Sequence, residues 1–350
     1  MSPTSVLEEL IRSQDPLNAE TSIQSLTGVA MPTEAFYARN HFQMPVLDPT
    51  TWRLHVGGLV QHPTVIRLRD LLAMPSHTEV VTLECAGNGR SFLNPKVDGE
   101  QWRLGAVSTA EWTGVQLVEV LERAGIKSAG SEIVFRGADA GAVKGRVGTT
   151  CFERSLNLDE ARNSGAILAY AMNGEALPPR HGYPLRLIVP LWYGVASVKW
   201  LTEIDVIDRP FDGFFQTERY VYEWERDGRL IKEPVTLQRV RALITQPRPD
   251  QPIEPGDCAI RGLAWSGAAP IARVDVSVGG GAWQEARLLG EGTHNSWQRW
   301  ELATQLRQPG PNTVRARATD LAGRTQPEVP EWNRLGYGSN AIQVVPIRVL

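Results

Sequence analysis

The chain has 350 residues, and its 36 lysines and arginines against 39 aspartates and glutamates give a formal net charge of −3. This balance excludes the large basic surface that nucleic-acid binding requires, so we expect no nucleic-acid partner. Hydrophobic residues make up 42% and charged residues 21%, as in ordinary globular proteins. The apolar runs are too short to predict a membrane span.

The three cysteines lie 66 and 107 residues apart, which fits neither a disulfide framework nor a CxxC zinc pattern. An odd number of cysteines favours free thiols in a reducing compartment. The stretch 1–20 carries acidic residues early and lacks the charged-then-apolar pattern of a signal peptide. We therefore predict a cytoplasmic location, with the periplasm as the alternative if the sequence is a trimmed form.

The first predicted elements are an N-terminal arm and three strands. Residues 1–35 are polar with short apolar pieces, which is typical of an extended arm laid over a domain. Residues 51–60 and 63–68 flank a glycine pair and a proline, as in a strand–turn–strand unit. Residues 78–85 form a β-rich run that ends at Cys85.

A helix is predicted within residues 114–126. Leu117, Val120, Leu121 and Ala124 recur at helical spacing, and a glycine follows in the stop position.

Further buried strands are expected at 132–137, 166–172 and 185–192. Strands and helices mix here without a βαβ rhythm, so we predict an α+β domain over residues 36–235. From residue 236 to 350 only short alternating strands with Gly/Pro turns remain, which predicts a β-sandwich.

Cys85 stands out within "TLECAGNGR", residues 82–90. A buried structural cysteine is the plain alternative. However, Gly87 and Gly89 allow a bulky group to approach the backbone, and Asn88 offers an amide. Arg90 would favour the thiolate by its charge. The motif is therefore a candidate metal-binding or nucleophilic site.

Other candidate site residues are basic and lie in apolar or Gly/Pro-rich contexts. Arg186 opens an apolar strand, so we expect it to have an anionic partner, and Lys199 lies among apolar residues, which suggests a bound anion. The set that could cage a phosphate-bearing cofactor is Arg39, His41, Arg90, Arg186 and Lys199. Separate structural ion pairs are the alternative.

Seven segments together resemble the sulfite oxidase family of molybdenum enzymes, over about residues 36–350. They are "FYARNHF", "ECAGNGR", "GAVSTAEWTGVQLVEVL", "LAYAMNGEALPPRHGYPLRLIVP", "ASVKWL", "FFQTERY" and "WNRLGYGSN". Residues 261–283 look like the start of the family's immunoglobulin-like dimerisation domain. The resemblance implies a sulfite-oxidase-type molybdopterin-binding domain at 36–235, followed by an immunoglobulin-like β-sandwich at 236–350, and a homodimer.

The resemblance also implies a cofactor, molybdenum in a pterin dithiolene (Mo-molybdopterin), with Cys85 as the protein ligand of the metal. Soft sulfur ligands suit such a metal. The residues implied to bind the cofactor are Tyr37, Arg39, Asn40, His41, Cys85, Asp139, His181, Arg186, Ser197, Val198 and Lys199.

By the same resemblance, Arg39 and Arg90 bind the substrate anion, Trp102 lines its pocket, and Tyr220 lies beside the reacting oxygen. Two positions depart from the family pattern. Its cysteine motif often has two arginines after the asparagine, whereas Gly89 precedes Arg90 here. An ungapped placement also puts Val344 where sulfite oxidases have a further arginine, and Arg348 is the nearest alternative. This loss would weaken sulfite binding and favour a larger or less charged substrate.

The implied activity is two-electron oxygen-atom transfer that oxidises sulfite or a related sulfur compound. No cytochrome-like segment is seen, so the electron acceptor is expected to be a separate carrier, a cytochrome or similar. The alternatives are a nitrate or sulfoxide reductase on the same fold, a catalytically weak cofactor-binding homologue, and a cysteine-nucleophile hydrolase.

Overall fold

The structure, a computed structural model, describes residues 10–249, 252–290 and 293–350. The three α-helices in these ranges are α1 (Leu68–Leu72), α2 (Leu117–Ala124) and α3 (Leu158–Asn163). The strands up to residue 234 are β1 (Ile11–Gln14), β2 (Leu17–Ala19), β3 (Arg53–Gly58), β4 (Thr64–Arg67), β5 (His77–Glu84), β6 (Val107–Gln116), β7 (Glu132–Gly141), β8 (Thr150–Asn157), β9 (Ile167–Met172), β10 (Glu175–Ala176), β11 (Arg186–Ile188), β12 (Leu201–Ile207), β13 (Val221–Arg226) and β14 (Arg229–Pro234). The strands that follow are β15 (Arg241–Gln246), β16 (Gly256–Trp265), β17 (Ile271–Val278), β18 (Gln284–Leu289), β19 (Gln298–Leu306), β20 (Gly310–Asp320) and β21 (Gln343–Val349).

Two five-stranded sheets form the frame of the N-terminal part. One has the order β10–β9–β6–β5, with β11 also paired to β9, and the other has the order β4–β3–β12–β7–β8. In the second sheet β12 runs parallel to β3 and antiparallel to β7. Cys85 follows β5, Arg186 lies in β11 and Asp139 lies in β7, so strands of both sheets fix the positions of candidate site residues.

The predicted helix is confirmed as α2. Its residues Leu117, Val120, Leu121 and Ala124 are buried and pack into the main hydrophobic core. Gly125 ends the helix with φ of 67°, a conformation that glycine adopts without strain.

The N-terminal arm is not simply extended. β1 and β2 pair as a small antiparallel hairpin, and Ala19 then pairs with Ala38. The side chain of Asn18 is fully buried and accepts a 2.8 Å hydrogen bond from the backbone N–H of Asn40. The hairpin therefore anchors the segment that contains the candidate residues 37–41.

The C-terminal part is rich in strands, and no helix occurs among its described residues. Its seven strands follow the order β15–β16–β19–β18–β17–β20–β21, and β15 also contacts β20 and β21. The sheet thus curls, barrel-like, around its own core. Alternation is as predicted: Val274 and Val276 of β17 and Val314 and Ala316 of β20 point into that core.

A smaller apolar cluster joins the two parts of the molecule. It contains Leu26, Met31, Val107, Leu243, Leu263, Trp265 and Trp297, from the arm, from β6 and from the C-terminal strands. The end of β5 lies beside this junction, because Thr82 N–H donates to Asn295 O at 2.9 Å. Within the three described ranges, no helix is long and apolar enough to cross a bilayer.

Candidate active site

A cleft of about 650 Å³, its open mouth included, lies at the end of β5. Its lining residues are Phe36, Tyr37, Arg39, Asn40, His41, Leu83, Cys85, Ala86, Asp139, Phe152, His181, Arg186, Gly194, Val195, Ser197, Lys199 and Tyr220. The structure thus brings together most of the residues singled out in the sequence.

Cys85 is the first residue after β5 and is 6% exposed. Its N–H donates to Ala106 O at 2.8 Å, and its carbonyl accepts from Asn88 N–H at 2.9 Å. Burial raises the pKa of the thiol, and the Arg39 charge and the Gly87 N–H oppose that shift. The thiolate therefore needs a cationic partner to form readily, which a bound metal would supply.

Three cationic side chains face the same cleft. Arg186 is buried, donates to the carbonyls of His181 (2.9 Å) and Ser197 (3.3 Å), and lies 4.8 Å from the Trp112 ring. Its Nε has no partner in the described part of the chain, and burial lowers its pKa to about 10. The anionic partner expected for Arg186 is not a carboxylate of the described residues, since its contacts there are carbonyls and a ring.

Lys199 and Arg39 complete this cationic group. The Lys199 ammonium donates to Asn40 Oδ1 and, at 3.0 Å, to Arg180 O. Its pKa is lowered well below the usual value by burial, and next by the Arg186 charge. Arg39 donates to Asn18 Oδ1 at 3.2 Å. Cations gathered in a confined space repel one another, so an anionic ligand would stabilise all three.

The polar end of the cleft holds Asp139, whose Oδ1 has no partner among the described residues. Burial raises its pKa to about 6, with Lys199 acting in the opposite direction. An unpaired oxygen here is a ready acceptor for an N–H group of a ligand.

Two histidines in the cleft are held neutral. Burial, and then the charges of Lys199 and Arg186, lower the pKa of His181 well below 6.5. Burial and then Arg39 do the same for His41. His41 Nε2 lies 2.6 Å from the Tyr220 hydroxyl, and its ring stacks on Phe152 at 4.7 Å.

Because the pKa values of these two histidines are lowered, we expect the cofactor-free protein to lose stability in acid. His41 and His181 resist protonation in the folded state but accept protons in the unfolded chain below the ordinary value of 6.5. Stability is then full above that pH and falls below it, by up to about 1.4 kcal/mol per pH unit for each histidine. Urea unfolding over that pH range measures the slope.

His181→Gln should reduce this slope, whereas replacing the exposed His62 with Gln should not. A slope that is the same in the wild type and in His181→Gln would contradict the prediction.

Three predicted site residues do not line the cleft: Arg90, Trp102 and Val198. Arg90 donates to Glu100 O at 2.9 Å and Leu335 O at 3.1 Å and lies over the Tyr337 ring. A side chain at Gly336 would start 2.9 Å from Arg90 Nε, so this glycine leaves room for the Arg90 side chain. Trp102 and Val198 are fully buried in hydrophobic clusters.

The placement of Val344 in the substrate pocket is wrong. Val344 lies in β21, opposite Arg315, and is 56% exposed. Arg348 belongs to the same strand of the C-terminal sheet. An ungapped placement could not show that the chain already enters a sheet strand at residue 343. The expectation that a lost arginine weakens sulfite binding therefore falls.

Sequence reasoning missed two aromatic residues that support the cleft. Phe152, which lines the cleft, stacks on His41, and Tyr337, outside the lining, stacks on Tyr220 with ring centroids 4.9 Å apart. It also missed the π-helical turn Phe215–Arg219, which ends at Tyr220. Such turns are frequent at functional sites. The buried Arg154 holds this turn by donating to Phe215 O and to Val235 O.

Two family models match the chain. The "Oxidoreductase molybdopterin binding domain" covers residues 41–215, and the "Mo-co oxidoreductase dimerisation domain" covers residues 233–349. Together with the thiol and the cationic cleft, these matches define a molybdopterin-binding oxidoreductase fold. The chain belongs to the sulfite oxidase family.

Among its relatives, the mitochondrial sulfite oxidase of Rattus norvegicus is 36% identical over 96% of this chain and 66% of the relative. The sulfite oxidase of Arabidopsis thaliana is 33% identical over 97% of this chain and 93% of the relative. The chain thus spans just under two thirds of the length of the rat protein. The crystal structure of the sulfane dehydrogenase SoxCD from Paracoccus pantotrophus is similar, with a TM-score of 0.85, 31% identity, and 98% and 89% of the two chains covered.

The cofactor is molybdopterin, and the residues of the cleft fit it. No group of three His, Cys, Asp or Glu side chains within the described ranges could hold a metal ion. The unpaired Arg186 Nε and Asp139 Oδ1 offer a donor for an anionic group and an acceptor for ring N–H groups.

Proposed function

We propose that this protein is a molybdenum-cofactor oxidoreductase that oxidises sulfite or a related sulfur compound and passes the electrons to a separate carrier. One observation carries the proposal: a single thiol opens into a cleft whose other charged groups are mainly cations. The bound cofactor supplies two-electron redox chemistry and an oxygen atom for transfer.

The cofactor is held, in this proposal, by Tyr37, Arg39, Asn40, His41, Asp139, His181, Arg186, Ser197 and Lys199, and its metal is bound by Cys85. The role predicted for Val198 stays a prediction, because its side chain does not line the cleft. Arg186 and Lys199 supply charge-assisted donors to a phosphate group. Burial raises the pKa of Tyr37 well above its usual value, so its phenol remains a hydrogen-bond donor.

Arg39 and Tyr220 are the residues best placed to act on the substrate. Arg39 brings a permanent positive charge into the cleft, which favours an anion such as sulfite. Burial raises the pKa of Tyr220, so its hydroxyl stays protonated and can donate to a substrate oxygen. Neutral His41, 2.6 Å away, holds that hydroxyl in position. The roles predicted for Arg90 and Trp102 stay predictions, because neither side chain lines the cleft.

A cysteine-nucleophile hydrolase is a poorer fit to this site. Such an enzyme needs a base that takes the proton of the thiol. His41 Nε2 is engaged with Tyr220 instead, and burial raises the pKa of Cys85.

The test is steady-state kinetics of the protein reconstituted with its cofactor, after its molybdenum content has been measured. Sulfite and organic sulfur compounds are offered as donors with ferricyanide as acceptor, and nitrate and sulfoxides are offered with a reduced dye. We expect oxidation of a sulfur substrate. Nitrate reduction alone would favour the alternative reductase, for which the barley nitrate reductase, 32% identical over 97% of this chain, is a precedent. No turnover at one molybdenum per chain would point to a catalytically weak homologue.

We also propose that the domains divide at 1–35, 36–235 and 236–350, and that the last is an immunoglobulin-like β-sandwich. The match to a dimerisation domain at 233–349 supports a homodimer through that part. Light scattering at micromolar concentration is expected to give twice the chain mass of 38.7 kDa. A mass of one chain would refute the dimer. The cytoplasmic location and the separate electron carrier stay predictions.

A further inference from the structure

A buried ion pair lies next to the proposed metal ligand, and the mechanism above does not use it. Glu84 directly precedes Cys85, and its side chain is 2% exposed. Its Oε1 accepts a 2.8 Å hydrogen bond from Arg241 Nη1 and a 2.9 Å hydrogen bond from Asn88 Nδ2. Its Oε2 accepts a 2.9 Å hydrogen bond from Trp265 Nε1. Arg241 and Trp265 belong to β15 and β16 of the C-terminal part.

These contacts continue into the backbone around Cys85. Asn88, which donates to Glu84, accepts from Ala106 N–H at 3.2 Å, and the Ala106 carbonyl accepts from Cys85 N–H at 2.8 Å. Gly338, also in the C-terminal part, donates its N–H to Ala86 O at 2.8 Å. On both sides of Cys85, the segment that bears the thiol is therefore held by hydrogen bonds to residues of the C-terminal part.

A buried ion pair contributes little to the free energy of unfolding, because burying the charges is itself unfavourable. Apolar side chains of similar size often stabilise a fold equally well. Well-satisfied buried polar networks do, however, fix geometry, because each donor and acceptor accepts few orientations. Because Glu84 is the residue next to Cys85, the geometry that this pair fixes is that of the Cys85 segment.

We propose that Glu84 is a positioning residue: clamped by Arg241 and Trp265, it sets where the Cys85 sulfur lies in the cleft, so the C-terminal domain shapes the metal site. The inference rests on the proposed function in that Cys85 binds the metal. It adds a second role for β15 and β16: besides any dimer contact, these strands help to position Cys85.

The test compares Glu84→Gln, the double variant Glu84→Gln/Arg241→Met and the control Glu79→Gln. The double variant leaves no unpaired buried charge, so it keeps the test open if Glu84→Gln fails to fold. Glu79 lies in the same strand and also bonds to the C-terminal part, through Asn295, but it is remote from Cys85 in sequence.

The first measurement is the rate at which iodoacetamide alkylates each cysteine of the cofactor-free protein, resolved by peptide mass spectrometry. Cys85 should react about tenfold faster in both Glu84 variants, the change expected for one lost charge-assisted hydrogen bond. The rates are compared on the high-pH plateau, where the thiol is fully ionised, because the Glu84 charge itself raises the pKa of Cys85. Cys151 and Cys258, which are half-buried elsewhere, report any general loosening and should react as before. The second measurement is molybdenum retained on gel filtration, which should fall in both variants.

A Cys85 rate and a molybdenum retention equal to those of Glu79→Gln would overturn the positioning role. Equal acceleration at all three cysteines would also overturn it, since this would show a merely structural role. A wild type that binds no molybdenum would defeat the proposed function instead, while the alkylation rates, measured without cofactor, would still decide the role of Glu84.

Discussion

Replacing Cys85 with serine is expected to lower turnover of the reconstituted protein by more than about a hundredfold, because even outer-shell changes at metal sites cost ten- to a hundredfold. Serine offers a hard oxygen where a soft sulfur ligand is needed. The fold should survive, since the backbone groups of Cys85, which hydrogen-bond to Ala106 and Asn88, are unchanged. Turnover and molybdenum content are measured on the same sample.

The matched controls are Cys151→Ser and Cys258→Ser. Both thiols are free. Cys151 lies in β8 and Cys258 in β16, and neither lines the cleft. Each control should keep wild-type turnover. Full activity in Cys85→Ser would remove Cys85 from the metal site.

Arg186→Met is expected to weaken cofactor binding by roughly ten- to a hundredfold. The reason is that a charge-assisted hydrogen bond to an anion contributes roughly 1.5–3 kcal/mol. The measured quantity is the gain in unfolding free energy that the cofactor gives, because it separates ligand binding from the stability of the empty protein.

Arg154→Met supplies the control for this measurement. Arg154 resembles Arg186 in being buried, in donating to two carbonyls, in having an unpartnered Nε among the described residues, and in having its pKa lowered by burial to about 10. It does not line the cleft. Its loss should destabilise the empty and the loaded protein alike. If both variants reduce the cofactor-induced gain equally, Arg186 does not contact the cofactor.

Helices and strands that depend on local patterns could be predicted from the sequence. The spacing of Leu117, Val120 and Leu121 predicts α2, and the alternation of apolar residues predicts β17 and β20, because both patterns follow from side-chain directions within one element. The basic residues of the cleft were also found, since an arginine or lysine in an apolar context needs a partner. Arg186 and Lys199 are examples.

Contacts between side chains far apart in the sequence could not be predicted from it. Nothing near Glu84 shows that Arg241, 157 residues later, will neutralise it. The direction of Arg90 depends on the space at Gly336, and the position of Val344 depends on where β21 begins. These facts arise from the tertiary fold, so the family resemblance could not show that neither side chain lines the cleft.

The parallel pairing of β3 with β12 affects how the chain is made. His55 pairs with Glu203, so a ribosome must add almost 150 residues between the two strands, which takes about 7–30 s at usual synthesis rates. Until then β3 has only β4 as a neighbour in its sheet, and its other edge is open to wrong pairing. The Cys85 loop must wait longer, because Arg241 and Trp265 are made later still. Until those strands are made, a nascent chain therefore cannot offer a finished cleft at Cys85.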